Sequence, residues 1–324
     1  MSIVEAGTAL SDTRNWVGTP AVNTSNRDGN WVSEAVALNA GEYVYTRKWT
    51  PISSGWFVFR KYYMGGSGAR NGAAVFALTN SDDEDILRLW GNGTTITLEW
   101  WDGSTWAAIG SGWTHTTTND SVAIEFDLSG SGVLGWYVNG VEVARVTGDY
   151  SAADAIGSAR LDKWNSGGLG DGTAYSEWIC STDPAMNKRF YCKPPTANGS
   201  NTAWGGTYAA IDETGVSVSD SITSTADGNV STFTAAARPF SSPYQVDAVV
   251  LPFYARKSVT GPDQVIPVLR IGGVNYDAGP AVDLGYGYKG FAPIIETDPS
   301  TSSPWSLTNA NDAALEFGYK SASA

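Results

Sequence analysis

The sequence predicts an all-β protein made of two β-sandwiches, the second smaller than the first. Its 324 residues include 37 glycines and 12% aromatic residues, whereas charged residues make up only 16%. Short runs of β-forming residues recur along the chain and are separated by glycine-containing turns, which is typical of sandwiches and jelly rolls. No long stretch has helical periodicity, and the length favours two domains over one.

The strand signals of the first half follow one another closely. Turn sequences such as Asn92-Gly93 and Asp102-Gly103 separate them. We expect strands at Tyr43–Trp49, Trp56–Tyr63, Ala73–Thr79, Ile86–Trp90, Thr94–Trp101, Trp106–Ile109, Ser121–Leu128, Ser158–Trp164 and Tyr175–Ser181.

The clearest turn lies between Leu134 and Val146, where Asn139-Gly140 separates two runs of β-forming residues. This dipeptide readily adopts positive φ at both positions, as a two-residue type I′ turn requires. Trp136 and Val138 fall on one face of the first run under the period of a strand. The segment therefore predicts a tight β-hairpin.

A linker is predicted at residues 189–200, between a first domain at 1–188 and a second at 201–324. Pro194-Pro195 within it is stiff and extended, and Asn198-Gly199 favours a turn.

The second half has longer apolar runs. Pro252 and Pro267 lie inside two of them and predict edge positions or bulges, because proline has no N–H for a strand ladder. Strands are expected at Val246–Tyr254, Val265–Ile271, Phe291–Glu296 and Ala314–Lys320.

The net charge of -13 and the pI of 4.4 disfavour binding to phosphate backbones and anionic lipid. No apolar run approaches the ~18 residues of a membrane span, and the N-terminus lacks the basic segment and apolar core of a signal peptide. We therefore expect no nucleic-acid binding, no membrane insertion and synthesis in a cytosol.

For Cys180 and Cys192, free thiols are the main expectation and one disulfide is the alternative.

Catalytic chemistry has few candidates. The one histidine, His115, would have to support any His-based triad or metal cluster alone, so a surface histidine is expected. Glu125 and Asp127 share one strand face, a spacing that resembles the catalytic strand of β-sandwich glucanases. The second glutamate of those enzymes would fall near Ser129 or Gly130, where it is missing. A solvated strand face is therefore the main expectation and a depolymerase the alternative.

An acidic run contains Asp82, Asp83 and Asp85. It lacks the alternating Asp or Asn and the glycine of a calcium loop, so a solvated loop is expected, with a Ca²⁺ site as the alternative. No cofactor is predicted.

Four tryptophans, Trp100, Trp101, Trp106 and Trp113, flank the Asp102-Gly103 turn. One of the adjacent pair Trp100-Trp101 should point inward and the other outward. Core packing is the main expectation for most of them, because large aromatic rings supply much of a sandwich core. Carbohydrate binding by the outward rings is the alternative.

The first ~180 residues resemble a concanavalin A-like jelly roll of the laminin-G or pentraxin type. The resemblance rests on the hairpin from Trp136 to Val143, on the Ser121–Leu128 strand and on Ala174–Cys180, which is similar to the closing strand of such domains. These motifs imply a fold and leave function open.

The second half resembles the C-terminal domain of tailed-bacteriophage structural proteins, such as minor tail or fibre proteins. The similar sequence segments are 193–199 with 202–204, and 305–307 with 314–320. The resemblance implies a virion subunit that contacts other virion proteins as a homo-oligomer, with a trimer as the first expectation. The first domain would then project outward and meet host surface polysaccharide, with the reverse attachment, in which the first domain is docked and the second is exposed, as the alternative. A cellular carbohydrate-binding module is the rival interpretation.

Overall fold

The computed structural model describes residues 3–7, 13–17, 21–23, 35–38, 42–63, 72–114, 120–162, 173–186, 188–189, 194–212, 219–235, 245–310 and 315–324. The chain forms two compact units, residues 2–192 and residues 193–324. Antiparallel strands dominate both units, which confirms the predicted all-β class. In the described ranges, no helix is both long and apolar enough to cross a membrane.

The first unit contains an eight-stranded and a seven-stranded sheet. The eight-stranded sheet has the order β13-β12-β11-β6-β15-β4-β3, with β1 also paired to β15, and the seven-stranded sheet has the order β10-β9-β8-β7-β14-β5-β2. The strands are β1 Ile3–Gly7, β2 Thr13–Val17, β3 Ala21–Asn23, β4 Ala35–Leu38, β5 Tyr43–Thr46, β6 Ser54–Tyr63, β7 Ala73–Thr79, β8 Asp85–Asn92, β9 Thr95–Trp101, β10 Trp106–Thr114, β11 Asp120–Asp127, β12 Gly132–Val138, β13 Val141–Gly148, β14 Ser158–Asp162 and β15 Thr173–Ser181.

One large core joins these two sheets. Phe59 of the eight-stranded sheet stacks on Phe76 of the seven-stranded sheet, with ring centroids 4.6 Å apart. Trp136 and Trp178 are fully buried in the same core. Burial of these large rings removes much apolar surface from water, which is the main term that stabilises such a sandwich.

The predicted hairpin is confirmed as the connection between β12 and β13. Asn139 has φ of 52° and Gly140 has φ of 78°, and Val138 pairs with Val141 across the turn. The Asn139 side chain also ties the turn to β11, because it accepts a hydrogen bond from the Ser121 amide (2.9 Å) and donates one to Asp120 (2.8 Å).

The strands β1 to β4 were not predicted. Each has only three to five residues, and so short a run shows too few alternating positions to indicate a strand. β1 and β4 pair with β15, β2 pairs with β5, and β3 pairs with β4, so three of the four depend on β5 or β15, which lie further along the chain.

The second unit is built on a six-stranded sheet of order β16-β17-β27-β20-β21, with β22 also paired to β20, and on three two-stranded ribbons. Its core includes Leu269, Trp305 and Leu315. The elements are β16 Pro195–Thr202, β17 Val230–Ala235, β18 Val249–Val250, β19 Phe253–Ala255, β20 Gln264–Ile271, β21 Val274–Asp277, β22 Val282–Asp283, β23 Lys289–Phe291, β24 Ile294–Ile295, β25 Thr297–Asp298, β26 Ser303–Pro304, the four-residue helix α1 Leu307–Ala310 and β27 Glu316–Ala322.

The linker prediction is wrong for residues 195–200, which belong to strand β16. Pro195 is tolerated because it is the first residue of an edge strand, where a missing N–H costs no ladder bond. Ser200 fixes the strand by donating its amide N–H (2.8 Å) and its hydroxyl (2.5 Å) to the Glu316 carboxylate.

The prediction of an edge position for Pro267 is also wrong, because β20 has neighbours on both sides. On one side Pro267 lies between the pairs that β22 makes at Val265 and those that β21 makes from Val268 onward. A missing N–H is tolerated at that gap, while the Pro267 carbonyl accepts a hydrogen bond from Ala278 (2.8 Å). Pro252 falls between the short strands β18 and β19.

Candidate functional site: an arginine–tryptophan face

The four predicted tryptophans separate into an inward and an outward pair. Trp100 and Trp113 pack against the core of the first unit. Trp100 meets Tyr150 edge to face (4.9 Å between centroids), and Trp113 meets Trp136 in the same way (6.3 Å). These two side chains are therefore structural, as the main expectation for this group stated.

Trp101 and Trp106 form the outward pair. They face each other across the β9–β10 hairpin, with ring centroids 5.5 Å apart. Asp102 holds the turn between them by accepting hydrogen bonds from the amides of Ser104 (2.8 Å) and Thr105 (2.7 Å). These hydrogen bonds, with that of Thr105 contributing most, lower the pKa of Asp102 to about 2.

The Arg88 guanidinium contacts two indole rings on the same face. Its central carbon is 3.9 Å from the ring centroid of Trp90 and 3.9 Å from that of Trp106. Glu99 pairs with Arg88 from the next strand, at 2.7 and 2.8 Å. We call Arg88, Trp90, Glu99, Trp101 and Trp106 the arginine–tryptophan face.

This face is held tightly by its own contacts. The side chains of Arg88 and Glu99 are each 15% exposed, and the three tryptophans are half-buried. A cation enclosed by two rings and a carboxylate has little rotational freedom left, so the indoles beside it are fixed as well.

A second arginine continues the row across the sheet. Arg160 of β14 pairs with Asp85 (2.8 Å) and Asp162 (3.4 Å) and lies 5.6 Å from the Tyr43 ring. Fully buried Ala77 separates it from Arg88 in the strand register. Each of these two arginines therefore contacts at least one carboxylate and one aromatic ring.

The three acidic candidates for a calcium site have separate roles. Asp85 binds Arg160, Asp83 lies 3.6 Å from Lys48, and Asp82 is exposed. Within the described residues, no group of three or more His, Cys, Asp or Glu side chains could hold a metal ion.

Glu125 and Asp127 share the outer face of β11, at register positions opposite Trp56 and Ser54 of β6. Arg145 binds the Glu125 carboxylate through two nitrogens (2.8 and 3.1 Å), and the Tyr137 hydroxyl donates a third hydrogen bond (2.9 Å).

This environment fixes the protonation state of Glu125. Burial raises its pKa, but the Arg145 and Tyr137 hydrogen bonds and the Arg145 charge outweigh burial, so the pKa of Glu125 lies below its usual value. Burial, with the hydrogen bond to Glu125, raises the pKa of Tyr137 to about 12. Glu125 is thus an ion-paired carboxylate, whereas a general acid needs a raised pKa.

Cys180 is a buried free thiol whose pKa burial raises well above the usual value, so it is a poor nucleophile. Its candidate partner Cys192 and the single histidine His115 lie outside the described residues.

Arg88, Trp90 and Glu99 were not among the residues predicted from the sequence, although the sequence contains a signal for them. Gly93 has φ of 66° and begins a two-residue turn, and this turn sets Asn92 opposite Thr95. Counting back from that turn places Arg88 opposite Glu99, with Trp90 two residues from Arg88 on the same face.

No protein-family model and no curated protein sequence matches the chain. Among solved structures, the chain is similar to the T. cruzi calreticulin globular domain, with 8% identity, a TM-score of 0.42 and coverage of 56% of this chain and 89% of that chain. It is also similar to an endo-β-1,4-glucuronan lyase from the fungus Trichoderma reesei, with 9% identity, a TM-score of 0.44 and coverage of 56% and 96%. A third similarity is to the receptor-binding domain of botulinum neurotoxin type G, with 9% identity, a TM-score of 0.38 and coverage of 55% and 42%. These are similarities of fold and assign no activity to this chain.

Proposed function

We propose that the first unit is a glycan-recognition module and that the arginine–tryptophan face binds an uncharged sugar. The observation that carries this proposal is the Trp90–Arg88–Trp106 stack, with both indoles 3.9 Å from one guanidinium and Trp101 beside them.

The chemistry of this face suits a sugar ring. The face of an indole is electron-rich, so it attracts the polarised C–H groups on the flat side of a pyranose. Glu99 and the exposed hydroxyl groups of Ser104 and Thr105 supply hydrogen-bonding groups for the ring hydroxyls. Because Glu99 neutralises Arg88, the face has no unpaired charge whose hydration an uncharged ligand would have to displace.

Preorganisation supports the proposal further. Arg88 is fixed by two rings and a carboxylate, and Trp101 is fixed by Trp106 and the Asp102 turn. Rings that are already ordered lose little side-chain entropy on binding, so more of the contact energy remains as affinity.

We test this proposal by screening the full chain on a glycan array and then titrating the best uncharged oligosaccharide by calorimetry. Trp106→Ala and Trp101→Ala should weaken binding at least tenfold, a loss of about 1.4 kcal/mol. Val141→Ala is the matched control, because Val141 is 68% exposed on the other sheet; it should bind as the wild type does. Absence of any glycan binding, or wild-type affinity in Trp106→Ala, contradicts the proposal.

Binding without cleavage is the second part of the proposal. Glu125 has the lowered pKa of an ion-paired carboxylate, and glycoside hydrolysis requires one protonated and one ionised carboxyl group. Incubating bacterial surface polysaccharide with the protein should leave its chain length unchanged. Cleavage by the wild type that disappears in Glu125→Gln would establish the depolymerase instead.

We further propose that the whole chain is a subunit of a bacteriophage virion, oligomeric, with a trimer as the first candidate. The resemblance of the 193–199 and 314–320 segments to phage structural proteins supports this, and in such a particle the first unit would meet host polysaccharide. Mass spectrometry of purified particles should find the protein, and light scattering should give a mass above that of one chain. A monomer that is missing from particles contradicts the proposal.

A further inference from the structure

The β19–β23 ribbon of the second unit has two faces with different surroundings. On one face, Phe253 stacks on Phe291 (5.1 Å between centroids) and contacts Tyr319 of the six-stranded sheet (5.0 Å). Those rings attach the ribbon to the unit. Tyr254 points to the opposite face, because neighbouring residues of a strand alternate.

Exposed tyrosine rings lie on that opposite face and in the segment that leads into β23. Tyr254 is 42% exposed and Tyr286 is 64% exposed. Tyr254 and Tyr288 are nearly parallel, at 7°, with centroids 5.7 Å apart. A β-carbon at Gly285 or Gly287 would meet no atom within 4 Å, so the space beside the tyrosines is open.

Two cations lie against these rings. Arg256 is 4.6 Å from the centroid of Tyr288, and the Lys257 ammonium is 5.0 Å from that of Tyr286. We call Tyr254, Arg256, Lys257, Tyr286 and Tyr288 the tyrosine–cation face.

The positive charge of this face is largely uncompensated. In the part of the chain that the structure describes, Arg256 has no carboxylate within ion-pair distance, and Lys257 has only a long contact of 3.9 Å to Asp263. Lys320 in the same unit is instead tightly paired with Asp277, at 2.5 Å. A local basic surface therefore lies on a chain whose net charge is -13.

We propose that the tyrosine–cation face binds an acidic polysaccharide. The exposed tyrosines stack on its sugar rings, and Arg256 and Lys257 pair with its carboxylates. This site lies on the second unit and does not depend on the arginine–tryptophan face, whose one cation, Arg88, already has a carboxylate partner. The two sites therefore differ in ligand charge.

A carboxylate-bearing glycan fits this face better than a nucleic acid does. A single nucleic-acid strand carries a phosphate at every residue, so binding requires a groove lined with many cations. Two adjacent cations can pair with one or two carboxylates of a short glycan segment, and the net charge of -13 disfavours the longer backbone contact that a nucleic-acid strand requires.

The test is a calorimetric titration of the full chain with oligomers of polygalacturonate, alginate and hyaluronan. At least one should bind, and raising NaCl from about 50 mM to about 500 mM should weaken that binding, because salt screens exposed charges. If polygalacturonate binds, its methyl-esterified form is the matched uncharged probe and should bind at least tenfold more weakly.

Variants locate the site. Arg256→Gln with Lys257→Gln should lower the affinity at least tenfold, and Tyr286→Ala should lower it severalfold. Lys320→Gln is the matched control, because it removes a paired cation from the same unit and should bind normally. Trp106→Ala should also bind the acidic oligomer normally, which separates this proposal from the one above. Unchanged thermal unfolding of each variant shows that it is folded.

Several results overturn the proposal. One is no binding to any of the three acidic oligomers. Another is equal affinity for the methyl-esterified probe, which would remove the role of the carboxylate. A third is tight binding of a thymidine oligonucleotide that the double variant abolishes while the acidic oligomers fail to compete, which would assign the face to single-stranded nucleic acid.

Discussion

The two units use the same contact, a cation over an aromatic ring, in different surroundings. In the first unit, Arg88 lies between two indoles, pairs with Glu99 and is 15% exposed. In the second unit, exposed Arg256 lies over Tyr288, and no carboxylate among the described residues is within ion-pair distance of it. Burial and a carboxylate partner make Arg88 part of the fold, whereas Arg256 keeps a charge that a ligand can use.

Lys61 extends the first unit's pattern to full burial. Its ammonium is 2.6 Å from Asp120, both side chains are 1% exposed, and the Trp113 ring lies 5.9 Å away. Burial lowers the pKa of Lys61, while the Asp120 charge opposes that shift. Cations of the two units should therefore differ in what their removal does to stability and to binding.

The largest effect is expected at Lys61. Lys61→Met leaves Asp120 buried without its ion-pair partner, so the free energy of unfolding should fall by about 3–5 kcal/mol. Urea unfolding measures this loss. Adding Asp120→Leu removes the unpaired buried charge and should restore part of the stability. A double variant that is no more stable than Lys61→Met contradicts this interpretation of the pair.

A smaller loss of folding stability is expected when Glu99 is replaced. Glu99→Gln leaves half-buried Arg88 without a charged partner and should cost about 1–2 kcal/mol. It should also weaken sugar binding, because Arg88 and the two indoles lose a contact that fixes them. Glu142→Gln is the control, since Glu142 is an exposed carboxylate of the same unit. Equal thermal unfolding of the two variants would show that Arg88 does not need its partner.

The ion pair between Glu125 and Arg145 should add a pH-dependent contribution to the free energy of unfolding. Because the pKa of folded Glu125 lies below the usual 4.5, its contribution is fully present above that pH and is lost as the pH falls through the lower folded value. The stability difference between wild type and Glu125→Gln should thus be constant near neutral pH and shrink in acid. Unfolding curves from pH 7 to pH 3 measure it; a difference that grows in acid contradicts the sign.

The smallest stability effect is expected at Arg256. Arg256→Gln should change the free energy of unfolding by less than about 0.5 kcal/mol, because an exposed cation over one ring contributes little. The same variant should nevertheless weaken binding of the acidic oligomer. A marked loss of stability would place Arg256 with Arg88 as a structural residue and would remove the contrast between the units.

Part of the candidate site follows from local sequence. The Asp102-Gly103 turn predicts the β9–β10 hairpin, and strand alternation predicts that Trp100 and Trp101 point to opposite sides, as the structure shows. Alternation does not state which of the two faces the core. That choice depends on the segment that follows β13 of the other sheet, since Tyr150 of that segment packs against Trp100.

The roles of the acidic and tyrosine-rich segments depend on residues that are distant in sequence. Asp85 looked like a loop carboxylate, but Arg160, which is distant in sequence, binds it. Tyr286 and Tyr288 showed no feature beyond a glycine-rich stretch, and their importance depends on the strand that brings Arg256 beside them.

The sequence by itself determined the all-β class, the tight hairpins at Asn139-Gly140 and after Asn92, and the alternation along each strand. These features depend on the φ angles of a few adjacent residues and on the two-residue period of a strand. Only the tertiary structure decided that β6 lies between β11 and β15, that Pro267 fits inside a sheet, and that Arg88 and Arg256 differ in their partners. Those outcomes depend on contacts between residues far apart in the chain, which local turn chemistry cannot specify.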